Sequence, residues 1–92
     1  MTRDEVLGVL RLTNPDARRD EIALYADSYM DYREAQDNIV RNGNIVAHPR
    51  TGQPIQNPYI KVKVQAMNQL RKANRLLVVK ALWLDGASDQ AA

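Results

Sequence analysis

Two asparagine–proline pairs, Asn14-Pro15 and Asn57-Pro58, constrain this chain more than any other feature. Asparagine caps a helix N-terminus with its side chain, and proline fits the first helical position, where no backbone N–H is needed. Asp16 adds an acid in the first turn, as a helix start favours. The pairs therefore predict two long helices, one from Pro15 to about Asn42 and one from Pro58 to about Leu84, with a break near Asn74 as the alternative for the second. Gly43 sits where a left-handed C-terminal cap would end the first, and Asp85-Gly86 ends the second.

The segment between them differs in kind. In 44–56 (NIVAHPRTGQPIQ), Ile45 and Val46 favour a strand, Thr51-Gly52 a turn and Pro54-Ile55 a returning strand. Two prolines in so short a ribbon predict a protruding, edge-like hairpin. Ahead of the first long helix, residues 2–12 predict a short one, with Thr2 as cap and Val6, Val9 and Leu10 on one face. The fold class is mainly α: short helix, long helix, β-hairpin, long helix. Its divisions are an arm at 1–14, a helix–hairpin–helix core at 15–84 and a tail at 85–92.

Helical spacing places Ile22, Tyr25, Ala26, Tyr29, Tyr32, Ile39 and Val40 on one face of the first long helix, with Asp27, Asp31 and Glu34 opposite. The tyrosines read as packing groups rather than platforms for bases. The second long helix carries two adjoining apolar stripes. One holds Ile60, Val64, Met67, Val78 and Leu82; the other holds Val62, Ala66, Leu70, Ala73, Leu77 and Leu84. Together they exceed the stripe of about 100° that one packing partner needs. Hydrophobic residues make up 45% of only 92, and a domain so short buries a limited share of its surface. Val62, Ala66, Leu70, Ala73, Leu77 and, as an aromatic anchor, Trp83 are the candidate oligomer interface.

Charge is segregated along the chain. Residues 1–37 hold nine acidic and five basic side chains; residues 38–84 hold eight basic ones and no acid, and the net charge is +2. An acid-free basic segment suits a polyanion; pairing between subunits is the alternative. Lys61, Lys72 and Arg75 share a helix face with Asn68, Lys63 and Arg71 lie on the same helix, Arg50 is at the hairpin tip and Arg41 at its base. These seven basic residues are the candidate DNA-binding set. His48, beside Pro49, reads as a turn residue.

Several chemistries are excluded by residue type. No cysteine is present and one histidine stands alone, so neither a disulfide framework nor a thiolate or histidine metal cluster can form. No Gly-x-x-x-x-Gly-Lys-Ser/Thr loop is present for nucleotide phosphates, and the basic half has no carboxylate for a nuclease metal. No catalytic residue, cofactor or metal site is expected. No apolar run approaches the roughly 20 residues that cross a bilayer, and no secretion signal opens the chain. A cytoplasmic protein is expected.

From Leu24 to about Trp83 the chain resembles the small terminase subunits of cos-type tailed phages, in the compact family often encoded beside an HNH endonuclease. The residues that carry the resemblance are LYADSYMDYREAQ, then NIVRNGNIVAHPRTGQPIQNP, then YIKVKVQAMNQLRK. It implies ring oligomers that bind double-stranded viral DNA in the host cytoplasm and deliver it to a large terminase subunit bearing the ATPase and nuclease. The HNH endonuclease is an implied further partner. One departure stands out. That family often follows the Leu-Arg-Lys run with a Gly-Leu-Thr-Pro-like turn, whereas this chain reads ANRLLVVKALWLDG. A rival reading from the residues alone is an oligomeric adaptor whose basic half recruits an acidic protein and barely touches DNA.

Overall fold

The computed structural model describes residues 1–78, Lys80, Leu82 and Trp83. Among these the order is α1 (Arg3–Thr13), α2 (Arg19–Asn42), β1 (Ile45–Ala47), β2 (Pro54–Gln56) and α3 (Tyr59–Lys72). The mainly helical class and the hairpin between two helices are as the sequence predicts. The tail expected at 85–92 lies outside the described residues.

α1 begins on a reciprocal cap. The Glu5 backbone N–H donates to Thr2 Oγ1 at 3.3 Å, and the Thr2 N–H donates to Glu5 Oε1 at 3.4 Å. Two otherwise orphaned donors are satisfied this way. Val6, Leu7 and Leu10 are buried at helical spacing against Ile22, Tyr25, Ala26 and Tyr29 of α2.

Asn14 does not start the second helix. It ends the first, its backbone N–H donating to Leu10 O at 2.8 Å. Its side chain is spent elsewhere: Nδ2 donates to Leu10 O (3.1 Å) and Leu77 O (2.9 Å), and Oδ1 accepts from the Leu77 N–H (2.6 Å). With that amide committed to a distant segment, Pro15 and Asp16 form a turn, and α2 starts four residues later, at Arg19.

α2 runs 24 residues, about 36 Å at 1.5 Å per residue. Its buried side follows the expected face from Ile22 to Tyr29, but Val40 at the far end is 67% exposed. Gly43 terminates it with φ 85° and ψ 176°, its N–H on Ile39 O at 2.7 Å. The positive φ is as expected, but that ψ lies beyond the left-handed helical region, in a conformation essentially limited to glycine.

β1 and β2 pair antiparallel, with Ile45 opposite Gln56, Val46 opposite Ile55 and Ala47 opposite Pro54. Val46 and Ile55 share the half-buried face, as strand alternation requires. Gly52, at φ 72°, closes the turn, its N–H donating to His48 O at 2.8 Å.

The single long helix expected from Pro58 to Leu84 is not formed. α3 ends at Lys72, and Ala73 leaves helical geometry at φ −85° and ψ 52°. Residues 73–78 form a bend, after which Lys80, Leu82 and Trp83 are helical again. Leu76 and Leu82 are buried in the α1–α2 core, with Trp83 packed against it. Burying these large side chains outweighs the helix propensity of a segment free of glycine and proline. At roughly 1.5–3 kcal/mol for each buried side chain, packing exceeds the tenths of a kcal/mol per residue that propensity supplies.

Candidate nucleic-acid interface

α3 turns a single seam toward α2, consisting of Ala66 (buried) and the half-buried Tyr59, Ile60, Lys63, Met67, Leu70 and Ala73. The seam runs between the two apolar stripes and takes residues from both. Val62 (36% exposed) and Val64 (51%) are left on its flanks. Of the six expected interface residues, Ala66, Leu70, Ala73 and Trp83 pack within their own chain, while Val62 and Leu77 (67%) keep exposed surface.

Turning the seam inward sets Lys61, Gln65, Asn68, Arg71 and Lys72 on the exposed side of α3. From Lys61 to Lys72 is about 16 Å along the axis, with polar amides between the charges. Arg50 is exposed on the hairpin turn. His48 organises that turn: its Nδ1 accepts from the backbone N–H of Arg50 at 3.0 Å and of Thr51 at 3.3 Å. This agrees with a turn residue and aims the Arg50 side chain outward from a fixed backbone.

Three candidates stand apart from that face. Lys63 is half-buried, with its ammonium 5.9 Å from the Tyr32 ring centroid, a cation–π contact between α3 and α2. Arg41 lies in the last turn of α2, where a cation complements the helix dipole, and its Nε donates to Asp37 O at 3.3 Å. Arg75 falls beyond the end of α3, so it does not share a continuous helical face with Lys61. It lines an open cleft with Glu21, Leu24, Gln69, Lys72 and Asn74. Gln69 was not singled out from the sequence; Asn74 stands where the sequence left open a break in the helix, and the bend there brings it to the cleft.

None of the seven candidate basic side chains is in an ion pair among the described residues. The acids are used or displayed elsewhere. Asp27 accepts from Arg3 Nε at 2.5 Å, tying the start of α1 to α2, and that hydrogen bond and charge hold the Arg3 guanidinium above its ordinary pKa. Asp31 and Glu34 are exposed on the outer side of α2. The positive charge of the second half is thus concentrated on α3 and the hairpin and left unneutralised, an arrangement that attracts a polyanion.

The tyrosines of α2 surround Trp83. Tyr25 Oη accepts from the indole N–H at 3.2 Å. Tyr29 and Tyr32 meet the indole edge-on, at centroid distances of 5.1 and 5.7 Å. The Tyr29 hydroxyl donates to Leu82 O. Tyr25 and Tyr29 are 3% and 1% exposed, which makes them packing groups.

No curated protein and no solved structure matches the chain. A family model described as phage terminase, small subunit, matches residues 6–78. That span runs from the first core side chain of α1 through the bend after α3 and covers more than three-quarters of the sequence. The chain therefore belongs to the phage terminase small-subunit family.

Proposed function

We propose that this chain binds double-stranded viral DNA as a multi-copy ring and presents it to the large terminase subunit, without catalysing a reaction itself. The observation that carries this reading is the unpaired basic surface. Lys61, Arg71 and Lys72 are exposed on one side of α3, Arg50 is exposed on the hairpin, and none has an ionic partner among the described residues. These side chains supply point charges for phosphate, and Gln65 and Asn68 supply hydrogen-bonding amides between them. Packaging of this kind takes place in the host cytoplasm, and no helix of the described residues is long and apolar enough to cross a membrane.

Magnitudes argue for assembly. Each neutralised phosphate contributes about −0.9 to the slope of log K against log salt, so about four per copy cost roughly a hundredfold in affinity between 50 and 200 mM salt. One copy alone would hold DNA poorly at physiological ionic strength. A ring multiplies the contacts, and affinity then comes from valency. The ATPase and nuclease belong to the large subunit, and an HNH endonuclease is a further partner of the same pathway.

The test is a titration of duplex DNA at several salt concentrations with Arg50, Lys61 and Arg71 together reversed to glutamate, assembly mass being checked in parallel. Affinity at 100 mM salt should fall more than tenfold and its salt dependence should flatten, with mass unchanged. Equal affinity of variant and parent would contradict the reading. It would favour the adaptor alternative, which the cleft at Arg75 supports: there Lys72 and Arg75 border Leu24, 53% exposed, a mixed surface suited to an acidic peptide.

A further inference from the structure

The bend at residues 73–78 lies in a sequence that does not call for one. From Tyr59 to Trp83 there is neither glycine nor proline, and Ala66, Leu70, Ala73 and Leu77 recur at spacings of three and four, the seam of a continuous helix. In the folded chain that seam stops at Ala73, and Leu77 and Val78 are left 67% and 39% exposed. Conflict between a local pattern and the adopted fold is the mark of a segment with a second use.

What closes the bend is a set of long-range clasps. Its own backbone bonds are few and long, Ala73 N–H to Leu70 O at 3.2 Å and Leu76 N–H to Ala73 O at 3.4 Å. Asn14 grips the Leu77 backbone from both sides, the Tyr29 hydroxyl holds Leu82 O, and Tyr25, Tyr29 and Tyr32 enclose the Trp83 ring. Every one of these partners belongs to α1, α2 or the turn between them, a body to which the strap is joined only through residues 73–78.

We infer that this strap exchanges between copies: α3 continues straight through residues 73–78, and Leu82 and Trp83 of one chain fill the α1–α2 groove and tyrosine cage of another. The end of α3 lies beside the start of α2, where Gln69 and Lys72 share a cleft with Glu21 and Leu24. Continued as helix, the ten steps from Ala73 to Trp83 span about 15 Å along the axis, carrying Trp83 away from its own cage. The occupant that fits the vacated groove is the same segment of a second copy, since its Leu82 and Trp83 reproduce the contacts those side chains make in the closed form. The exchange also gains the helical hydrogen bonds missing at the bend and extends the seam through Leu77, and it gives up the Asn14 clasp and the burial of Leu76. Handed from each copy to the next, the strap makes a head-to-tail interface, the kind that closes into a ring. This rests on the self-association proposed above and not on DNA binding.

Trp83 is the only tryptophan, so its indole protons are an unambiguous reporter. Isotope-labelled and unlabelled chains of native sequence would be unfolded together, refolded, and examined by isotope-filtered NOE spectroscopy, with mass measured on the same sample. Exchange gives NOEs between the indole of one copy and the Tyr25 and Tyr29 rings of another. Indole–tyrosine NOEs confined to one copy, in a sample whose mass shows assembly, would overturn the exchange and leave self-association standing. A monomer at every concentration would overturn both. Asn14→Ala supplies a second readout, because it removes a clasp present only in the closed strap. Association should strengthen about tenfold; weaker association in a folded variant would contradict the inference.

Discussion

Tyr25 couples the core to Trp83 through a single hydroxyl, and its ionisation links that contact to pH. Burial pushes the phenol above its ordinary value; the hydrogen bond from Trp83 acts in the opposite direction, and the neighbouring Tyr29 adds to the rise. A folded pKa above the unfolded one means that the unfolded chain ionises first as pH rises. The stability this residue contributes is complete below about pH 10, the ordinary tyrosine value, and is lost as pH climbs from there through the raised value. Urea denaturation at pH 8, 9, 10 and 11 should show a decline above pH 10 that is smaller in Tyr25→Phe. Parallel declines in the two proteins would refute the coupling. Single residues also explain why charge alone is an incomplete guide. Lys63 and Arg41 belong to the same acid-free stretch as Lys61 and Arg50, yet one leans on the Tyr32 ring and the other sits over the end of its own helix.

At the scale of elements, Asn57 joins the hairpin to both long helices. It is 2% exposed. Its Nδ2 donates to Asn38 Oδ1 of α2 at 3.0 Å and to Gly43 O at 2.9 Å, its Oδ1 accepts from the Tyr59 N–H at 3.0 Å, and its backbone N–H reaches Asn44 O at 2.7 Å. Asn57→Ala leaves buried partners unsatisfied, so unfolding free energy should fall by about 2–3 kcal/mol in a urea titration; a change under about 0.5 kcal/mol would contradict this role. This junction was legible in the sequence, because Asn57-Pro58 immediately precedes α3, which starts at Tyr59 with its N–H on Asn57 Oδ1. The identical dipeptide at Asn14-Pro15 was not. Its local signal is the same, but the Asn14 amide binds the backbone of Leu77, sixty-three residues away, and no nearby residue announces that partner. The break near Asn74 stood as an alternative in the sequence, but what holds it was hidden for the same reason. The bend is made by Ala73, Asn74 and Arg75 under the pull of Leu76, Leu82 and Trp83 toward the core. Periodicity records which residues are apolar and not which partner they meet. The face of α2 was therefore clear, while the two stripes of α3 were read as two interfaces when one seam draws on both.

For the whole molecule, the separation of charge matters more than its sum. Acids occupy the outer side of α2, and basic side chains occupy the exposed side of α3 and the hairpin tip, so one copy presents opposite signs on different faces. Such a body can meet a neighbour and a polyanion at once, with charge fixing register and encounter rate more than raw affinity. Its exposed apolar groups, among them Leu24, Val40, Ile45, Val62, Val64 and Leu77, are suited to contact between copies. In the function proposed above, the protein works as an assembly whose copies pool a weak basic surface. Light scattering on a sizing column, at low and at high salt, tests it directly. A discrete mass of many copies that persists at high salt is expected, because apolar contacts hold the assembly and screening leaves them intact. A monomer under both conditions would contradict pooled DNA binding and the ring together.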